Sequence, residues 1–249
     1  MYELIEGILI KNGLLFAFVC VGVVMWASFW VSRHLLANRI PGVALAIVAG
    51  LALAFLGNEK GLADVPLFAG LALLGGSMLR DFAVVATAMG ADLDQIRTAG
   101  LAGAIALMLG VLSAFAVGVA FALALGHTDP VSLTTIGAGA CTYIVGPVTG
   151  SALGATSEVI AISIAAGVVK TIVTTIATPL LARVIGLDNP HSAVVFGGLI
   201  GTTSGVAAGL AATDPKLVPY GALTATFYTG LGCLLCPSVL YLAVRWLVG

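Results

Sequence analysis

Lys170 is the residue around which any chemistry in this chain must be arranged. It stands near the middle of an apolar stretch at about 159–182, where carrying a cation costs roughly 3 kcal/mol. The groups that could join it are mostly hydroxyls. One glycine-rich segment carries Thr134, Thr135, Thr142, Thr149 and Ser151, a second carries Thr202, Thr203 and Ser204, and Tyr143 and Tyr228 add phenols. An ammonium with several hydroxyl donors suits a small carboxylate anion, and hydroxyl and carbonyl oxygens suit a hard monovalent cation such as Na⁺. The anion set is therefore Thr142, Tyr143, Gly146, Lys170, Thr202, Thr203 and Ser204. The cation set is Tyr143, Gly146, Thr149, Thr202 and Ser204. A plainer account competes for each. Lys170 can snorkel or pair with Glu158 or Asp214, these acids otherwise capping loops, and the tyrosines can anchor at an interface.

Catalytic constellations are missing. The sequence has no nucleophile triad, metal-ligand motif or phosphate loop, and GAGACTYIVG opens no βαβ unit. Neither an enzyme nor a bound cofactor is expected, Na⁺ entering only as a coupling ion. Cys20, Cys141, Cys233 and Cys236 all lie in apolar segments. The CxxC they include reads as two small hydrophobes on one helix face.

The elements that would position these groups are two interrupted helices. Residues 131–158 place Ala138, Thr142, Gly146, Gly150 and Gly154 on every fourth position, and 191–214 repeat the stripe with Ala193, Gly197, Gly201, Gly205 and Gly209. Each member lies 55 positions after its counterpart. Such a stripe lets another backbone lie close. Pro147 lacks the N–H that the Tyr143 carbonyl would use, and a free carbonyl inside a bilayer is tolerated only in protein or beside a polar cavity. Matched broken segments in two halves point to a carrier's substrate site; simple helix packing is the alternative. Crossing segments would make the repeats parallel and re-entrant ones inverted, and the sequence leaves both open.

Composition sets the frame. Of 249 residues, 60% are hydrophobic and 8% charged, with a mean hydropathy of +1.16, against about 25% charged in soluble domains. An all-α polytopic membrane protein in a lipid bilayer follows, with room for about eight spans of roughly 20 residues. The net charge of −1 makes no case for nucleic acid. The opening MYELIEGILIKN reads as an interfacial helix rather than a secretory signal. Spans are expected at about 13–32, 40–57, 65–89, 99–126, 159–182 and 217–246, besides the two interrupted segments, with ADLDQIRTA as a short amphipathic link. Arg80 and Asp81 fall near one membrane face, and His127 in a loop. Residues 1–126 then form a scaffold of about four spans, and 127–249 a transport region of two repeats, 131–186 and 187–249.

Five stretches carry a resemblance: MYELIEGILIKNGL, KGLADVPLFAGLALLGGSMLRDFAVVATAMG, TTIGAGACTYIVGPVTGSALGA, IGLDNPHSAVVFGGLIGTTSGVAAGLAATD and LVPYGALTATFYTGLGCLLCPS. Together they resemble the MadM subunit family of malonate:sodium symporters over nearly the whole chain. The resemblance implies a multi-pass carrier of the bacterial inner membrane that imports malonate with Na⁺ beside a small membrane subunit, MadL. Association of copies of the chain stays open. SLTT, LARVIGLDNP and the hydroxyl-rich second segment are similar, more loosely, to the LrgB family, which implies glycolate- or glycerate-type 2-hydroxy acids as the alternative cargo. A non-transporting regulatory subunit is the rival from another class.

Overall fold

The computed structural model describes residues 7, 9–37, 42–54, 62–74 and 93–248. Arg80, Asp81 and most of the expected third span lie outside them. The chain divides into two compact units, 1–86 and 87–249. Among the described residues every regular element is a helix. Four are long and apolar enough to cross a membrane: Gly13–His34, Gly100–Ala124, Ser157–Leu181 and Pro215–Val248. The expected span at about 40–57 and the two interrupted segments differ among the described residues. Gly42–Ala54 has 13 residues, and both interrupted segments are pairs of short helices.

In the first unit, α1 (Gly13–His34) packs on α2 (Gly42–Ala54) and on the short α3 (Gly70–Leu74). Glycines permit the close crossings: a Cβ on Gly42 would lie 2.7 Å from the Phe29 ring, and one on Gly70 would strike the Gly13 carbonyl.

The second unit begins with α4 (Leu93–Ala124), which absorbs the expected amphipathic link as its first turns. Gly126, at φ +88°, ends it. Asp129 then caps α5 (Pro130–Cys141) by accepting the Ser132 N–H at 2.8 Å, with Pro130 in the first turn, where its missing N–H costs nothing. The helix stops at Thr142, which is extended (φ −154°, ψ 156°). Its Oγ1 accepts the Ile144 and Val145 N–H groups at 3.2 Å each and so starts α6 (Val145–Leu153).

Helices α5 and α6 turn back on each other. A Cβ on Gly146 would lie 2.9 Å from Gly139 Cα, and one on Gly150 would lie 2.8 Å from Thr135 Cγ2. Gly154, at φ +73°, ends α6, and Thr156 caps α7 (Ser157–Leu181). In α7 the hydroxyls of Thr171, Thr175 and Thr178 donate to the carbonyls one turn earlier, which removes their polarity from the apolar surroundings.

The second interrupted segment uses the same chemistry. Asn189 and Ser192 form a reciprocal cap for α8 (Pro190–Ile200), Gly201 at φ +78° ends it, and α9 (Thr203–Ala211) follows. It too folds back, with α10 (Val218–Leu235) between its arms: a Cβ on Gly221 would meet Leu210 Cδ1 on one side and lie 3.3 Å from the Ala193 carbonyl on the other. A π-helical turn, Cys236–Leu240, joins α10 to α11 (Tyr241–Val248).

Both interrupted segments therefore fold back as helical hairpins. The first returns to the end of α4 from which it left, so α7 runs back antiparallel to α4. The second hairpin accordingly enters from the opposite end.

Beside the 55-residue spacing of the glycine stripe, a second spacing stands out: caps Asp129 and Asn189, prolines Pro130 and Pro190, and breaks at Thr142 and Thr202 each lie 60 residues apart. One expectation is corrected here: Pro147 does not make the break. It lies in the first turn of α6, where a helix needs no N–H.

Candidate functional site where two hairpin tips meet

Stopping α5 at Cys141 leaves that residue's carbonyl without the donor a continuous helix would supply, because the Val145 N–H turns to Thr142. Lys170 takes its place, donating from Nζ to the Cys141 carbonyl at 2.9 Å. The same ammonium stands 5.2 Å from the centre of the Tyr228 ring. A charge-assisted hydrogen bond and a cation–π contact contribute on the order of 2 kcal/mol each, enough to hold a lysine at this depth. They do not neutralise it. Among the described residues no carboxylate pairs with Lys170. Glu158 lies twelve positions away on the same helix, about 18 Å along its axis. Asp214 accepts the Lys216 N–H at a loop cap.

The tips of the hairpins touch at this level. Tyr143 Oη lies 3.5 Å from Ser204 Oγ. Thr202 and Thr171 hydroxyls are 2.6 Å apart, and Thr171 already donates to the Gly167 carbonyl, so Thr202 is the donor between them. Backbone contacts bring α7 equally close to the first hairpin: a Cβ on Gly167 would strike the Tyr143 N, and one on Gly139 the Ser163 carbonyl. Helix α4 completes the ring of elements through Gly110, whose carbonyl accepts Tyr228 Oη at 3.0 Å and which abuts Gly198 and Leu199.

The anticipated residues separate into three groups. Tyr143 and Ser204 meet, Tyr143 half-buried and Ser204 exposed, with Thr203 beside them opening α9, and Lys170 follows on α7 after the Gly167 that packs on Tyr143. Thr142 and Thr202 are buried and committed to the fold, one capping α6 and the other bonded to Thr171. Gly146 and Thr149 leave the cluster. Gly146 is filled by Ser163, whose Cβ a side chain there would approach to 2.8 Å, and Thr149 sits deeper in the hairpin at 0% exposure.

Tyr228 is corrected as well: its hydroxyl is taken by Gly110, and the ring, not the phenol, faces Lys170. The stripes chiefly serve packing, as at Gly197 on the Gly221 carbonyl and Gly209 on Thr178. Sequence reasoning missed Thr171, Gly110 and the Cys141 carbonyl. Only Thr171, next to Lys170 in a threonine-rich helix, left any local signal. All four cysteines are free thiols.

Apolar helices long enough to cross a membrane, two helical hairpins and a lysine with no described carboxylate partner are features found in membrane carriers. The family model for the malonate/sodium symporter MadM subunit matches residues 5–248. The chain belongs to the MadM family. No curated protein and no solved structure matches it.

Proposed function

We propose that this chain is the part of a malonate/Na⁺ symporter that holds the substrate, and that it imports malonate across the bacterial inner membrane together with Na⁺. One observation carries the reading: Lys170, which no described carboxylate pairs, donates to the Cys141 carbonyl two residues before Tyr143, and Tyr143 meets Ser204. A dicarboxylate placed there takes the ammonium with one carboxylate. It meets the Tyr143, Thr203 and Ser204 hydroxyls with the other, beside the N-terminus of α9, where the helix dipole favours an anion. One lysine leaves part of a dianion's charge over, and Na⁺ offsets it, which makes coupling a matter of charge balance.

The hairpins act as an inverted pair. Because they enter from opposite ends, alternate loosening of one tip and then the other would open the same site to either face, the alternating access of inverted-repeat carriers. MadL is proposed as the partner subunit.

Radiolabelled malonate uptake into proteoliposomes, with and without a Na⁺ gradient, with this chain alone and with MadL, tests the proposal. Saturable uptake that needs Na⁺ is expected. Glycolate or glycerate uptake without malonate uptake would transfer the chain to the 2-hydroxy-acid reading. Uptake that neither saturates nor requires Na⁺ would indicate a channel.

A further inference from the structure

Two side chains stand apart from an otherwise well-bonded set of buried hydroxyls. Thr135 and Thr149 are both 0% exposed, and the Oγ1 of each has no hydrogen-bond partner. The adjacent Thr134 behaves as a buried helical threonine should, donating to the Pro130 carbonyl at 2.7 Å. An orphaned buried hydroxyl costs about 1–3 kcal/mol, so the pair needs an explanation in a ligand.

They stand on the two facing arms of one hairpin. The hairpin pairs Thr135 with Gly150, whose Cβ position meets the Thr135 methyl at 2.8 Å, and Thr149 precedes Gly150 in α6. Both arms pack on the π-helical turn Cys236–Leu240. Within that turn Pro237 offers no N–H to the Cys233 carbonyl. A π-helical insertion marks functional positions more often than chance.

We infer that Thr135 and Thr149 hold a Na⁺ ion inside the first hairpin, below the tip that meets the substrate. The inference rests on the symport reading above and gives its coupling ion a place. The donors are neutral oxygens, and no described group of three or more His, Cys, Asp or Glu could hold a metal. Such a set suits a monovalent hard cation and lacks the charge a divalent one requires. An ion bound between α5 and α6 would fix the two arms, and therefore Thr142 and Tyr143 at the tip, in the geometry that receives the anion.

The test is radiosodium binding to the purified full-length protein, together with the Na⁺ dependence of malonate uptake. Thr135→Val and Thr149→Val remove each hydroxyl at nearly constant volume, Thr135→Ser and Thr149→Ser keep it, and Thr134→Val is the control. The valine variants are expected to raise the Na⁺ half-saturation concentration at least about tenfold. The serine variants and the control should stay within about twofold of wild type. Should a valine variant fail to fold, the alanine variant at that position carries the comparison. Unchanged radiosodium binding in the hydroxyl-free variants would overturn the site and assign the two threonines to a buried water. Malonate uptake by wild-type protein that needs no Na⁺ would instead overturn the symport reading, so the two failures are distinguishable.

Discussion

At the residue scale, the proposed function depends on what happens to the Lys170 charge. Its ammonium is stowed on the Cys141 carbonyl and the Tyr228 ring, two groups that hold a cation without cancelling it. Truncating one partner of a buried charge pair typically costs 2–5 kcal/mol. Lys170→Ala should therefore reduce kcat/KM for malonate by about 30-fold to several thousand-fold, measured as uptake at saturating Na⁺. Arg80→Ala should have a far smaller effect, and equal losses would remove Lys170 from the anion site. Tyr143→Phe removes one neutral hydroxyl, worth about 1 kcal/mol, and should raise KM roughly fivefold with little change in kcat. Lys170 was legible in the sequence because a cation amid apolar residues has few explanations. Its partners were not: a main-chain carbonyl freed by a break carries no side-chain signature, and Tyr228 lies 58 residues further on.

At the element scale, glycine and capping chemistry decide whether the hairpins form. Gly201 combines a positive φ with the Tyr228 ring lying on its Cα, so a methyl there has neither backbone freedom nor space. Gly201→Ala should abolish folding or lower the detergent-solubilised melting temperature by many degrees. Gly154→Ala, at a positive φ but in open space, should cost about 1 kcal/mol. Gly230→Ala, helical and unobstructed, should be neutral or stabilising. Any other rank order of the three melting temperatures would contradict the packing described.

At Asp129, burial pushes the carboxyl up, but its hydrogen bonds with Ser132 and the nearby His127 outweigh that and hold it below its ordinary value. The cap's contribution is therefore complete above the usual carboxylate range and is lost as pH falls through the lowered value. Asp129→Asn should keep the cap and lose this acid sensitivity, whereas Asp129→Ala should cost about 1 kcal/mol at neutral pH. Thermal melts at pH 7 and pH 3 check both. Helix starts were readable from Asp129-Pro130 and Asn189-Pro190 because a cap and a first-turn proline are local signals. The 60-residue spacing of caps and breaks was less visible than the glycine stripe, whose members report packing partners on α7 and α10.

For the molecule as a whole, the sequence made the membrane class plain through its scarcity of charge. It could not show whether an interrupted segment crosses or returns, since both have the same composition. On the proposed alternating-access reading, their return makes the tips reachable in turn from the two faces. Ser204→Cys, exposed at the meeting point, should react with impermeant thiol reagents from both faces of oriented vesicles, and malonate with Na⁺ should protect it from either. Reaction from one face alone, unaffected by substrate, would count against a shared site.

The shortness of the hairpin arms has a consequence for biosynthesis. None of the four arms exceeds 12 residues, too few to cross a bilayer. Each hairpin therefore cannot be secured as it leaves the ribosome. The first needs α7 against Gly139 and Gly146 to cover its turn, and the second needs α10 between its arms. Completion of each hairpin's packing thus waits for the helix that follows it.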